Sequence, residues 1–133
     1  MDHTWRRRFQ GGAQAVGSAR SAVRERLSGA LGEPRLADVE LLVSELATNS
    51  IRHGDCGTDG QVRVEAAVSD DCVRLRLCDD GAGFEPRAPK PRTDGSGGYG
   101  LYLLDRLADR WGVQRNGGFC VWFEIQRQPL RVD

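Results

Sequence analysis

The stretch V-R-V-E-A-A-V-S-D-D-C-V-R-L-R-L-C-D, residues 62–79, decides the fold. Apolar side chains alternate with other side chains on both sides of a turn at residues 69–71. This period of two predicts two antiparallel strands that are covered on one face only. Asp79 has the parity of the apolar residues Leu75 and Leu77. We therefore expect its carboxylate to point toward the covering layer, where it needs a hydrogen-bond donor or a charge partner.

The covering layer is predicted to be helical. Apolar residues recur at helical spacing in three segments, residues 15–31, 36–53 and 101–111. Further strand patterns occur at residues 4–10 and in a terminal hairpin over residues 112–125. Helices segregated to one face of an antiparallel or mixed sheet give an α+β fold, a two-layer α/β sandwich.

Length and charge limit the function class. The chain has 133 residues, and we interpret residues 1–133 as a single domain. Nineteen basic residues balance nineteen acidic ones, whereas domains that bind nucleic acid usually carry a basic excess, so no direct nucleic-acid partner is expected. The run Arg6-Arg7-Arg8 is interpreted as a solvated strand edge. No apolar run approaches the roughly 18 residues of a membrane span, and no signal peptide is recognisable. The protein is predicted to be cytoplasmic and to have no membrane contact.

The cysteines are interpreted as reduced thiols. Cys56, Cys72, Cys78 and Cys120 show no C-x-x-C spacing and no nearby histidine pair, which argues against a zinc site. Buried or half-buried thiols are the expected state in the cytoplasm.

A carboxylate and a carboxamide stand four residues apart in the second predicted helix. Glu45 and Asn49 lie on one helical face, and His53 extends the row by one turn without a secure role. Taken alone, this row is better explained as a solvated helix edge. The strand-end aspartate changes that balance, because Asp79 is followed by glycines in the pattern D-x-G-x-G-F. Glycines at a strand end let the backbone approach a ligand, and an acceptor carboxylate suits an exocyclic amino group such as that of adenine. A plain Asp-Gly turn is the alternative.

A second glycine cluster, G-S-G-G-Y-G at residues 95–100, directly precedes the third predicted helix. Glycine-rich backbone at a helix start exposes N–H groups and the positive end of the helix dipole, which suits phosphate. The string also matches the dinucleotide pattern G-x-G-x-x-G. We reject that interpretation, because no strand directly precedes the string and no acidic residue follows at the required distance.

The ordered set of motifs resembles the GHKL superfamily of ATP-binding domains, and most of all the stand-alone anti-sigma-factor serine/threonine kinases. The motifs that carry the resemblance are E-L-A-T-N-S-I-R-H-G, C-D-D-G-A-G-F, and G-G-Y-G-L followed by A-D-R-W-G. The resemblance covers residues 5–125 and implies ATP and Mg²⁺ as cofactors. It also implies a mobile ATP lid at about residues 84–98.

The resemblance implies roles for single residues. Glu45 would be the catalytic base, Asn49 would coordinate Mg²⁺, and Asp79 would accept a hydrogen bond from the adenine amino group. The remaining nucleotide contacts would come from the loops and the third helix, at Gly81, Gly83, Gly98, Gly100 and Leu101.

One departure from the kinase pattern concerns the lid. Related kinases tend to carry a basic residue just ahead of the second glycine cluster, where this chain has Gly95 and Ser96. A basic lid residue such as Arg92, or alternatively Lys90 or Arg87, could reach the terminal phosphate instead. Binding of ATP is therefore better supported than phosphoryl transfer.

Two functions are predicted side by side. The first is a serine/threonine kinase that phosphorylates an anti-sigma factor antagonist. The alternative is a non-catalytic, ATP-dependent module that sequesters a sigma factor or another regulator. Arg74, Arg76, Trp122 and Glu124 favour the alternative, since they give the outer sheet face an aromatic and charged character typical of interfaces. An ordinary exposed face explains them equally well. The resemblance also implies a homodimer. The catalytic half of a histidine kinase is disfavoured, because the residues before the first helix cannot form a phosphoacceptor hairpin.

Overall fold

A computed structural model describes residues 3–10, 12–53, 61–79, 100–115 and 119–127. The described helices and strands follow in the order β1 (His3–Gln10), α1 (Ala13–Leu27), α2 (Arg35–His53), β2 (Gln61–Val68), β3 (Cys72–Asp79), α3 (Gly100–Leu107), β4 (Arg110–Arg115) and β5 (Phe119–Gln126). Both strands predicted from the opening stretch are present, each slightly longer than expected.

The strands form one five-stranded sheet in the order β1-β2-β3-β5-β4. Each neighbouring pair is antiparallel, so the sheet in the described part of the chain is antiparallel rather than mixed. The strand β1 lies at one edge, and Arg6, Arg7 and Arg8 are exposed on it. The interpretation of this basic run as a solvated edge is confirmed.

The core lies between one face of the sheet and the helices. Alternate residues of the strands and every third or fourth residue of α1 and α2 are buried there, as their periods require. The most completely buried include Val23, Leu27, Val39, Leu42, Val43, Leu75, Leu77, Phe123 and Ile125. The predicted α+β two-layer sandwich is confirmed.

The third helix is shorter than predicted. It ends at Leu107, and Trp111 lies in β4, where it is paired with Phe123. Asp109 fixes this change of structure, because its N–H donates to Glu124 O at 2.9 Å and its Oδ2 accepts from Gln126 N at 2.6 Å. The apolar spacing had placed Trp111 on the helix, and that prediction is wrong. The first helix likewise ends at Leu27 rather than at Leu31.

The prediction of reduced thiols is wrong for one pair of cysteines. Cys78 in β3 and Cys120 in β5 are register partners with a Cα–Cα distance of 4.1 Å, and they form a disulfide. They are 42 residues apart in sequence, so only the strand register brings them together. Cys72 is a free, half-buried thiol as expected, whereas Cys56 lies outside the described residues.

None of the helices that the structure describes combines the length and the apolar character that a membrane span requires.

Candidate functional site

The polar residues buried in the described structure are few. Asn49 is 5% exposed, Ser50 is 9% exposed and Asp79 is 3% exposed, and these three form the complete set of buried polar or charged residues among those described. Burying such groups is unfavourable unless they are hydrogen-bonded or serve a ligand. Their positions therefore mark the candidate functional region.

Asp79 ends β3 on the inner side of the sheet. It shares the parity of Leu75 and Leu77, both of which are fully or almost fully buried, and it is paired with Phe119 of β5. The prediction that its carboxylate faces the helical layer is confirmed.

Asn49 and Ser50 lie on the C-terminal half of α2. They continue the buried stripe of Leu42 and Leu46, while Glu45 is half-buried on its flank. Glu45 and Asn49 are thus one helical turn apart, as their spacing predicted. The interpretation of the row as a solvated helix edge is wrong for Asn49, which is buried.

Contacts at the end of the sandwich far from Asp79 fix the direction of α2. Arg35, the first residue of α2, donates from Nη2 to Asp109 Oδ2 at 2.9 Å, and the same oxygen accepts from the N–H of Gln126. Gln126 is paired with Cys72, the first residue of β3. The helix α2 therefore begins over the start of β3, and its C-terminal half lies toward the end where Asp79 stands.

The short helix α3 ends near the start of α2. Arg35 Nη1 donates to Leu107 O at 3.3 Å, so the last residue of α3 lies beside the start of α2. Its first residue, Gly100, is at the other end of this helix, away from that contact. The positive end of the dipole of α3 is at Gly100, which favours an anion there.

Several predicted site residues lie outside the described residues. They are Gly81, Gly83, Arg92 and Gly98, together with the lid at residues 84–98. Leu101 belongs to α3, in its first turn. The roles given to these residues stay predictions.

Two serines near the row were missed by the sequence interpretation. Ser50 is buried beside Asn49, and Ser44 Oγ is a buried oxygen without a hydrogen-bond partner in the described part of the chain. One turn further, Thr48 Oγ1 donates to Ser44 O at 2.7 Å, which satisfies the Thr48 hydroxyl within the helix. Spacing signalled Ser50, since it follows Leu46 and Ala47 at helical intervals.

The side chains at this site suit a hard cation that takes few oxygen ligands from the protein and most of them from a bound nucleotide and water. No group of three or more His, Cys, Asp or Glu side chains that could hold a metal occurs among the described residues. Mg²⁺ commonly takes one or two protein oxygens and completes its shell with phosphate oxygens and water. The carboxamide oxygen of Asn49 can supply such a single protein ligand.

Comparison with known proteins gives a consistent result. Residues 9–125 match the family described as histidine kinase-like ATPase domain. Serine-protein kinase RsbW of Bacillus pumilus (strain SAFR-032) is 33% identical over 112 residues, which cover 74% of this chain and 69% of that protein. Serine-protein kinase RsbW of Bacillus subtilis (strain 168) is 29% identical over 110 residues, with the same shares covered.

A solved structure shares the fold. It is the histidine kinase domain from the Erythrobacter litoralis EL346 blue-light activated histidine kinase, with a TM-score of 0.53 and 21% sequence identity. The match covers 86% of this chain and spans 60% of the length of that chain. At this identity the likeness establishes the α+β architecture alone.

Proposed function

The chain belongs to the family of histidine kinase-like ATPase domains and, within it, to the relatives of serine-protein kinase RsbW, and from this premise we propose that it is an anti-sigma factor kinase. In this proposal it transfers the terminal phosphoryl group of ATP to a serine or threonine of an anti-sigma factor antagonist. Family membership confirms the predicted ATP-binding, kinase-type domain. The substrate, the site residues, Mg²⁺, a cytoplasmic location and a homodimer are parts of the proposal.

The observation that supports the proposal is the burial of Asn49 on α2 and of Asp79 at the end of β3, which are 5% and 3% exposed. A carboxylate that is 3% exposed can discriminate between purines, because it accepts the hydrogen bond that the adenine amino group offers. Guanine presents a carbonyl oxygen at the same position, which would leave the Asp79 carboxylate facing another acceptor. Preference for adenine follows from this chemistry.

The phosphates of ATP would extend from the adenine at Asp79 toward α2 and α3. Backbone N–H groups at Gly100 would donate to a phosphate oxygen, and the Asn49 carboxamide oxygen would hold Mg²⁺. When bound, this ion neutralises charge on the phosphate oxygens. The loop residues Gly81, Gly83 and Gly98, the lid residue Arg92, and Leu101 of α3 would supply the remaining contacts.

Glu45 would accept the proton of the attacking hydroxyl. It lies one turn before Asn49 on α2 and is half-buried, so an acceptor side chain entering from solvent could reach it. Positioning and charge stabilisation supply most of the rate in phosphoryl transfer, and a base assists them.

The proposal is tested by phosphoryl transfer from labelled ATP to a purified anti-sigma factor antagonist. Glu45→Gln should reduce the labelling rate by at least about a hundredfold while ATP affinity stays within about twofold. The matched control is Glu25→Gln, the same change at an exposed position of α1, which should leave both quantities unchanged. Full labelling by the Glu45→Gln variant would disprove the role of Glu45.

A second candidate function is favoured by the missing basic residue at Gly95 and Ser96. In that case the protein binds a sigma factor or another regulator and uses ATP as a conformational ligand, which acts only through its differential affinity for two states. Tight ATP binding without labelling of any antagonist tested would select this function over the kinase.

A further inference from the structure

The sheet has a second face, on the side opposite the helices. The strand register defines which side chains point there, in rows that cross the sheet from β1 to β4. We call this set the outer face. Its charged members are Arg6, Arg8, Arg63, Arg74, Arg76, Arg110, Glu65 and Glu124.

Positive charge dominates the outer face. Among the described residues of this face, six arginines stand against two glutamates, although the formal net charge of the whole chain is zero. The excess is therefore a local property of this face and is balanced by acidic residues elsewhere. A local field of this kind attracts and orients an oppositely charged partner.

The two glutamates are already engaged. Glu65 Oε2 accepts from Arg76 Nη2 at 2.6 Å, and Glu124 is shared between Arg74 at 3.9 Å and Arg110 at 3.7 Å. Both contacts of Glu124 are longer than a good hydrogen bond, so this carboxylate compensates two arginines only weakly. Arg76 is engaged through all three of its nitrogens, because Nε and Nη2 donate to Glu65 and Nη1 donates to Gln114 Oε1 at 3.3 Å.

A groove of about 340 Å³ lies between β1 and β3 on this face. The side chains of Arg6, Arg74 and Arg76 line it together with the carboxylate of Glu65, while Thr4 and Ala67 are small and leave space between them. Within the described residues, Arg6 makes no ion pair. Because Arg76 is already engaged, Arg6 and Arg74 are the guanidinium groups of the groove that can bind further carboxylates. Guanidinium groups around such a space suit carboxylate side chains, which they bind by paired hydrogen bonds.

Beside the groove, Trp122 provides a flat aromatic surface. The Arg74 guanidinium lies over its ring, 4.6 Å from the centroid. Gly112 in β4 makes room for the ring, because a Cβ atom at that position would lie 2.8 Å from Trp122 Nε1. Arginine and tryptophan are the side chains that most often dominate the energy of protein interfaces.

We propose that the outer face is a docking site for an acidic segment of a partner protein, whose carboxylates enter the groove at Arg6 and Arg74. A second copy of the chain is disfavoured as the occupant, since two outer faces would bring like charges together. Nucleic acid is disfavoured because Glu65 and Glu124 lie within the face and the chain has no overall basic excess. The site lies opposite the nucleotide site, so the proposal does not depend on kinase activity.

The test uses a fluorescein-labelled peptide of about ten residues, rich in Glu and Asp, which can cross the roughly 20 Å width of the sheet. Fluorescence anisotropy with the full chain should give a dissociation constant in the micromolar range at low salt, weakening as salt is added. A peptide with Gln and Asn in place of the acids should not bind.

The decisive comparison is between two double variants with the same change of charge. Arg6→Glu with Arg74→Glu, on the outer face, should weaken peptide binding by at least about tenfold. Arg20→Glu with Arg26→Glu, at exposed positions of α1, should weaken it by less than about threefold. Circular dichroism checks folding, and Arg6→Gln with Arg74→Gln replaces the reversal if it fails to fold.

Three results would overturn the proposal. The acidic peptide does not bind, or it binds both double variants equally. An oligonucleotide of the same length binds the outer face more tightly than the peptide does. Sedimentation shows that the chain self-associates and that the Arg6→Glu, Arg74→Glu variant is monomeric, in which case the face is a contact between copies.

Discussion

Asp79 stands at the end of β3 with 3% of its surface exposed, and a carboxylate buried to that degree requires donors directed at it. In the proposed complex one such donor is the adenine amino group. Replacing Asp79 by Asn preserves the size of the side chain but exchanges one acceptor oxygen for an amide that donates. We expect Asp79→Asn to weaken ATP binding by at least about tenfold, because a site built for a specific hydrogen bond discriminates strongly once the pairing is lost.

Isothermal titration with ATP and GTP, each with and without Mg²⁺, measures this effect. Asp71→Asn is the matched control, since Asp71 is exposed in the turn before β3 at the far end of the strand. Its ATP affinity should equal that of the parent. If the Asp79→Asn variant binds ATP as well as the parent does, Asp79 does not accept the hydrogen bond from the adenine amino group.

Among the structural elements, those with a regular alternation of apolar residues were predictable from the sequence. Features that depend on the register between strands were not. The alternation in residues 62–79 gave both central strands and the inward direction of Asp79. Trp111 fitted a helical spacing with Leu104 and Ala108, yet it also fits the alternation of β4, and only a tertiary contact at Asp109 decides between them. The pairing of Cys78 with Cys120 likewise depends on strand register, which no local pattern reveals.

The candidate site was predictable to a similar degree. The types and spacing of Glu45, Asn49 and Asp79 were visible in the sequence. Their placement at one end of the sandwich depends on the direction of α2, which Arg35 sets through its contact with Asp109. This contact spans 74 residues of chain and leaves no local signal.

The junction between α3 and β4 makes a testable contribution to stability. Asp109 Oδ2 accepts from the backbone N–H of Gln126 and from Arg35, and thereby joins β5 to the start of α2. Asp109→Ala removes both interactions and leaves the edge of the sheet less well fixed. We expect the free energy of unfolding to fall by about 1–2 kcal/mol, since the site is partly exposed and water can replace some of what is lost.

Urea denaturation followed by circular dichroism gives that free energy. Asp105→Ala is the control, because Asp105 is exposed on the neighbouring helix α3. It should change the free energy of unfolding by less than about 0.5 kcal/mol. Equal stability of Asp109→Ala and the parent would show that the backbone contact of Asp109 N–H with Glu124 O suffices to start β4.

For the molecule as a whole, the sandwich separates two surfaces that share one strand. Asp79 ends β3 on the side of the helices, while Arg74 and Arg76 of the same strand point to the outer face. The strand β3 is held by hydrogen bonds to β2 on one side and β5 on the other, so it has neighbours that fix it along its length. Coupling between two sites requires an element with two arrangements, and pairing on both sides opposes a second arrangement of this central strand.

We therefore expect ATP and the acidic peptide to bind independently. The dissociation constant of the peptide should change by less than about twofold at saturating ATP, and the constant of ATP should change equally little at saturating peptide, since coupling free energies are reciprocal. Anisotropy and calorimetry measure the two constants on the same protein, and Asp79→Asn is the control in which ATP is largely absent from its site. A change of more than about fivefold, seen in both directions and lost in Asp79→Asn, would mean that the two faces communicate. In that event nucleotide binding would regulate the docking of a partner on the outer face.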